Sequence, residues 1–142
     1  ELLKRATNLS RMLSLEITES AAITDFELVN GHIQEFRERG FHVALDDFGA
    51  GAASFDYLNS FEIDVVKFDG PVVQRAHRTE KGKAFLASMA TLCSQTGIET
   101  IAEMVEDQEL ADFLDECGVL YGQGWHFGKP VPEIDSFRHM MT

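Results

Sequence analysis

The stretch Phe41-His42-Val43-Ala44-Leu45-Asp46-Asp47-Phe48-Gly49-Ala50-Gly51 decides how this chain is read. An apolar run with the composition of a buried strand ends in two adjacent carboxylates and a glycine-rich loop. Packing supplies no reason for paired charge at that point. Three further apolar runs end in the same way: Leu15-Glu16-Ile17-Thr18-Glu19, the run from Ile63 that closes with Lys67 and Asp69, and Ile101-Ala102-Glu103-Met104-Val105-Glu106. A chain that repeatedly finishes an apolar strand with a carboxylate builds an acidic ring. The usual purpose of such a ring is to hold divalent cations.

Around these junctions, strand-like and helix-like segments alternate. Strands are expected at Met12–Ile17, Phe41–Leu45, Ile63–Phe68 and Ile98–Ala102, with a weaker one at Val119–Gly124. Thr24-Asp25-Phe26-Glu27 has the form of a capping box with Thr24 as N-cap, and Phe26, Val29, Ile33 and Phe36 share a helical face that stops at Gly40. A short helix is expected over Ala53–Phe61. A longer one covers Thr79–Thr96, with Phe85, Met89, Leu92 and Cys93 inward, and a fourth runs from Asp107, its cap, to Cys117. The pattern contains no repeat beyond this βα rhythm and no linker.

Strands separated by helices imply parallel pairing, which both a (β/α) barrel and a doubly wound sheet satisfy. Chemistry separates the two. Glu16, Asp46, Asp47, Lys67, Glu103 and Gln123 all fall at or just beyond strand ends, on five successive strands. Such a spread suits the mouth of a barrel, whereas a doubly wound sheet concentrates its site at one switch point, usually behind a glycine-rich phosphate loop. Neither GxGxxG nor GxxxxGK[ST] is present. The expectation is an α/β fold, about five βα units forming the C-terminal portion of a modified TIM barrel, with about three N-terminal strands missing.

Composition bounds the function. The 142 residues carry 24 acids against 12 Lys and Arg, a net charge of −12, which argues against a nucleic-acid polymer as partner. A small phosphorylated ligand stays possible if bound metals supply positive charge. No apolar run is long enough to span a membrane and no signal peptide opens the chain, so no membrane contact is expected from this segment. Cys93 and Cys117 lack CxxC spacing and read as reduced core residues, which points to the cytoplasm.

Converging acids without a cation would be unstable. Two carboxylates about 5 Å apart at an effective dielectric near 20 repel by roughly 3 kcal/mol. Oxygen-only donors with no His or Cys beside them favour Mg²⁺, Mn²⁺ or Ca²⁺ over zinc. A pair of such ions can polarise a phosphate and generate hydroxide for in-line attack. Lys67 would then either position that water or neutralise phosphate charge. Each residue has a plainer reading: Asp46-Asp47 as a helix cap, Glu16 and Glu19 as solvated charges, Lys67 as an ordinary lysine, Glu103 and Glu106 as a helix approach, and Gln123-Gly124 as a turn. Only the joint pattern lifts the functional reading above these. Trp125 and Phe127 read as packing residues, and His32, His77 and His139 as surface residues.

Taken together, Leu15-Glu16-Ile17-Thr18-Glu19-Ser20, Asp46-Asp47-Phe48-Gly49-Ala50-Gly51, Val66-Lys67-Phe68-Asp69, Ala102-Glu103-Met104-Val105-Glu106 and Gln123-Gly124-Trp125-His126-Phe127-Gly128-Lys129-Pro130 resemble the second half of an EAL domain. The resemblance runs over nearly the whole chain, so residues 1–142 are expected to be a partial EAL domain. It implies a modified TIM barrel that opens cyclic-di-GMP to linear pGpG using Mg²⁺ or Mn²⁺ at a two-ion site, with Ca²⁺ inhibitory. Residue by residue, it implies Glu16, Asp46, Asp47 and Glu103 as metal ligands, Glu106 as the acid supporting Glu103 at the catalytic centre, and Lys67 as the catalytic lysine. It also implies Gln123 as substrate-binding and Glu19 as the anchor of the loop after the paired aspartates.

Three departures stand out. Gly51-Ala52-Ala53-Ser54 lacks a tyrosine and a serine common in a loop that couples dimerisation to activity; Met104 replaces a common glycine; Trp125 replaces a common tyrosine. The Glu-Ala-Leu motif, a substrate-binding arginine and a metal-binding asparagine belong to the other half of the domain. The chain alone is therefore expected to bind metal and nucleotide poorly and to hydrolyse nothing measurable. Further expected partners are a second copy, as a homodimer, and a sensory or GGDEF domain upstream in a parent protein. The alternative is a catalytically inactive EAL domain that serves as a cyclic-di-GMP receptor or interaction module.

Overall fold

A computed structural model describes residues 14–18, 23, 25–49 and 54–130 of the chain. Within them, strands and helices alternate as β1 (Ser14–Thr18), α1 (Phe26–Glu38), β2 (His42–Phe48), α2 (Ser54–Ser60), β3 (Val65–Phe68), α3 (Gly70–His77), α4 (Glu80–Gln95), β4 (Glu99–Ala102), α5 (Gln108–Glu116) and β5 (Tyr121–Gly122). All five strands are parallel and lie in the order β1-β2-β3-β4-β5. Each strand therefore sits beside its predecessor, with no reversal of direction across the sheet. A doubly wound sheet needs such a reversal, since it creates the switch point. Right-handed crossovers that always step the same way put every helix on one face. This is the winding of part of a barrel.

The core lies between that face and the helices. Leu45, Val66, Phe68, Val73, Leu86, Cys93 and Val105 are almost completely buried. Phe48 sits edge-on to Phe68 with ring centroids 5.8 Å apart, and Phe26, Tyr57 and Phe61 form a second aromatic group under α1. Burying one such side chain contributes about 1.5–3 kcal/mol. Both cysteines are free and buried, as their apolar settings implied. Burial pushes the Cys93 thiol from its ordinary 9.0 up to about 11. Among the described residues, no helix is long and apolar enough to cross a membrane.

Helix boundaries follow local chemistry, with corrections. The Asp107 side chain caps α5 by accepting the Leu110 amide at 2.8 Å, as expected. Thr79 caps α4 by accepting from Gly82. In α1 the capping side chain is Asp25, which accepts the Leu28 amide at 2.9 Å; Thr24 lies outside the described residues. Asp competes equally well for orphan amides, so the expected box slips by one residue. Gly118, with φ of 80°, ends α5 in the left-handed region that only glycine enters without steric cost.

Several expectations fail outright. Helix α3 was not anticipated, although Asp69 precedes Gly70-Pro71 and puts a proline in the first turn, a common helix opening. Phe85 is half exposed, and its place on the inner face of α4 is taken by Leu86 and Ala90. The error is a slip of about 100° around the helix axis, one residue. His77 stays partly exposed, as expected, and rests on the Phe113 ring, 4.8 Å away.

Candidate functional site

Strand parity brings the site together. In a parallel pair, residues in register share a face, and every second residue along a strand returns to it. Glu16 is in register with Ala44, and Asp46 lies two residues beyond Ala44. Ala44 is in register with Val65, and Lys67 lies two residues beyond Val65. Lys67 is in register with Ile101, and Glu103 lies two residues beyond that. Four charged residues from four segments, spread over almost ninety positions, therefore share one face of the sheet. That face is opposite the helices.

The contacts bear this out. The Lys67 ammonium lies 3.0 Å from Glu16 Oε1, 2.9 Å from Asp46 Oδ1 and 2.7 Å from Glu103 Oε1. Lys67 is only 8% exposed. Burial alone would push its ammonium toward deprotonation. Close contacts with the Glu103, Asp46 and Glu16 carboxylates, with the Glu103 charge, outweigh that effect and raise Lys67 above its ordinary value. Lys67 is thus held firmly as a cation.

The two aspartates behave differently, and β2 shows why. The strand does not stop at Leu45 as expected but runs through both acids to Phe48. Its pairing with β3 shifts between Leu45 and Phe48: Leu45 faces Val66, yet Phe48 faces Phe68, so β2 carries one extra residue. Asp47 sits in this bulge with φ of 58°. Two residues, Asp46 and Asp47, thereby oppose the single Lys67, the arrangement by which a bulge re-aims a side chain. Asp46 takes the ion pair, and Asp47 is not among the partners of Lys67. A non-glycine residue in the left-handed region stores strain of order 1–2 kcal/mol.

Beside the cluster, the chain leaving β4 meets the chain leaving β5. Gln123 donates its amide to Ala102 O at 2.8 Å, and its carbonyl accepts from the Val105 amide at 3.0 Å. Gly124 follows, where a Cβ would overlap the Val105 backbone, so this close crossing requires glycine. Glu103, Met104, Glu106, Gln123 and Trp125 line a cavity of about 380 Å³ at this junction. Glu106 and Gln123 are exposed and touch the cavity rather than Lys67. Trp125 is 63% exposed, with the Lys129 ammonium 5.0 Å from its ring, so it is not the packing residue expected. Met104 has φ of 56° and drapes its thioether over Gly70. Glu19 lies outside the described residues.

Of the expected site residues, Glu16, Asp46, Lys67 and Glu103 converge directly, Glu106 and Gln123 line the adjoining cavity, and Asp47 shares the bulge. Among the described residues, no three acidic, His or Cys side chains stand ready-spaced around a metal position. The Lys67 ammonium is what the three carboxylates surround. Their chemistry nevertheless suits a hard cation. All three donors are oxygens, and Asp46 Oδ1 is sealed from solvent without a well-directed hydrogen bond, balanced only by the charge of Lys67. Sequence reasoning did not foresee Met104 and Trp125 as cavity walls, although both had been noted as departures from common residue types.

Comparison with known proteins agrees with this geometry. Cyclic di-GMP phosphodiesterase PdeB of Shewanella oneidensis is 41% identical over 123 residues, which cover 87% of this chain and 14% of that protein. The chain thus spans a small part of the curated relatives it matches. Among solved structures, the EAL domain of Mycobacterium smegmatis DcpA superposes with a TM-score of 0.84 over 98% of this chain and 66% of its own, at 24% identity, a likeness of fold. Klebsiella pneumoniae BlrP1, in a complex with manganese and cyclic-di-GMP, gives a TM-score of 0.78 at 31% identity, covering 91% of this chain and 34% of its own. With the EAL domain matched over residues 1–130, a parallel sheet wound as part of a barrel, and a lysine ringed by strand-end acids, the chain belongs to the EAL domain family.

Proposed function

We propose that this chain is the C-terminal part of a metal-dependent phosphodiesterase domain that hydrolyses cyclic-di-GMP to linear pGpG. The observation that carries this reading is the convergence of Glu16, Asp46 and Glu103 on one buried cationic centre at the strand ends. The names of PdeB and the ligands of BlrP1 support it. Glu16, Asp46, Asp47 and Glu103 would hold Mg²⁺ or Mn²⁺. Such ions, when bound, supply Lewis acidity toward a phosphoryl oxygen and lower the pKa of water.

The chain's own residues supply the rest. Lys67, kept protonated by its neighbours, is suited to donating a hydrogen bond to the phosphate or the attacking water, and not to removing a proton. Glu106 and Gln123 border the cavity and offer an acceptor and an amide to the polar edges of a nucleotide. By the family resemblance, Glu106 would be the acid that supports Glu103, and Glu19 the anchor of the loop after the paired aspartates. The negative surface excludes polyanions, so a dinucleotide needs the cations for its own phosphates.

The test is to incubate the parent protein with cyclic-di-GMP and Mg²⁺, Mn²⁺ or Ca²⁺, measuring binding and pGpG separately. Cleavage with the first two ions and inhibition by the third is the expected outcome. Tight binding without pGpG under every condition would replace the enzyme with a cyclic-di-GMP receptor.

A further inference from the structure

We infer that Lys67 is the resident counter-ion of the cation site: its ammonium competes with a divalent ion for Glu16, Asp46 and Glu103, and thereby sets the affinity of the site for cations. The inference rests on the proposal that these acids take up divalent metal, and adds what must happen when they do.

The argument begins with space and charge. All three carboxylates lie within 3.0 Å of Lys67 Nζ, so the ammonium fills the point at which they converge. Asp46 and Glu103 are only 17% and 22% exposed, and little solvent is left to relieve them. A divalent ion needs oxygen atoms at about 2.0–2.6 Å, closer than any ammonium approaches. Ion and ammonium cannot both sit among the same oxygens. This explains why no ready-spaced metal group exists among the described residues even though the donors converge.

Charge arithmetic makes the exchange favourable. Three carboxylates around one ammonium leave the cluster with two negative charges in excess. Of the three carboxylates, Glu16 is the most exposed, at 47%. Asp46 Oδ1, which lacks a directed hydrogen bond, gains most from a closer cation. The cost of loading is the loss of three ion pairs by Lys67, and that cost lowers cation affinity. A lysine that organised the acids for metal, by contrast, would raise it. The two roles predict opposite signs.

Two measurements on the parent protein decide between them. The first is Mn²⁺ binding by calorimetry to the wild type and to Lys67→Met, which keeps the length of the side chain and removes its charge. The variant is expected to bind Mn²⁺ about ten-fold more tightly or better, the effect of removing one nearby positive charge. In chelator it should melt below the wild type, and saturating Mn²⁺ should close the gap. Equal or weaker Mn²⁺ binding overturns the inference. The second needs no variant and covers the case in which Lys67→Met fails to fold. The Lys67 ammonium resonance is followed by NMR as Mg²⁺ is added to the wild type. It should lose the signature of a carboxylate-bonded ammonium as the site fills; an unchanged resonance at saturation overturns the proposal. Cation uptake with Lys67 unmoved defeats this inference alone. No uptake of either cation by the wild type defeats it together with the metal-dependent reading. Displacement of Lys67 with no pGpG from the parent protein defeats only the phosphodiesterase reading and sustains this one.

Discussion

The two ends of the sheet each hold a network of charges, and the networks are built on opposite plans. At the end where β2, β3 and β4 begin, Asp64 is saturated. One of its oxygens accepts from Arg37 Nε and Nη2, at 3.2 and 3.0 Å, and the other accepts the Val43 amide at 2.8 Å. Its backbone donates to Val43 O and accepts from Glu99 N, tying three strands together, and Arg37 also reaches Glu62. At the opposite end, one ammonium serves three carboxylates, and one of their oxygens lacks a directed hydrogen bond. The first network is complete as it stands and serves stability. The second carries surplus negative charge and strained backbone at Asp47 and Met104, which are marks of a site awaiting something else.

The largest effect should come from removing the Lys67 ammonium at the unbalanced end. If the parent protein is the proposed phosphodiesterase, Lys67→Ala should lower its rate of cyclic-di-GMP cleavage by about 10²–10³-fold or more while nucleotide binding largely persists. A comparison of turnover with binding in the same preparation checks this, and a loss confined to binding would erase the contrast between the two ends. Next in size is the balanced end. Asp64→Ala leaves Arg37 and the Val43 amide without their acceptor, and should cost about 2–3 kcal/mol in chemical denaturation. Activity per folded molecule should not change. If Asp64→Ala instead abolished activity at unchanged stability, the division of labour between the ends would be wrong.

A smaller effect probes the core that joins them. Above the ordinary 9.0, the unfolded chain releases a Cys93 proton that the folded chain keeps up to about 11. The folded state then binds more protons than the unfolded one, so stability falls as pH rises through that window, by roughly 1–3 kcal/mol. Lys67 adds a loss of the same sign only above its ordinary 10.5. Burial raises the Cys117 thiol as well, with a loss of the same sign; denaturation curves below pH 9 and near pH 11 for the wild type and Cys93→Ala isolate the Cys93 share, since the variant should lose that contribution and keep those of Cys117 and Lys67. The smallest effect is local. Met104→Gly relieves a left-handed residue but gives up the thioether cover on Gly70, so a gain below about 1 kcal/mol is expected in thermal melts.

Much of this was legible along the chain. The alternation of apolar strands and capped helices, the parallel winding and the identity of the acids all follow from short windows of residues. Asp107 was readable as a cap because its competitors are remote; Thr24 and Asp25 are adjacent, and the structure shows Asp25 capping. Helix α3 was hidden because eight residues carry too few turns for a convincing period, and Asp69 looked like the end of a strand. Asp64 was invisible as a tie, since its three kinds of partner lie 21 to 35 positions away. The bulge at Asp47 could not be read either, because it exists only relative to β3.

By itself, the amino-acid order determined which side chains are available: strand-end carboxylates, one lysine among them, and helices whose ends are written in caps and glycines. Only the tertiary structure decided how their charges are shared. It placed Glu16, Asp46 and Glu103 around Lys67, set Asp47 aside in a bulge, and sent Glu106 and Gln123 to the neighbouring cavity. The reason is physical. Helix caps are local bonds between residues three apart, but an ion pair across a sheet depends on register between distant strands. Side-chain parity then converts that register into a face, and burial decides which charges must find a partner.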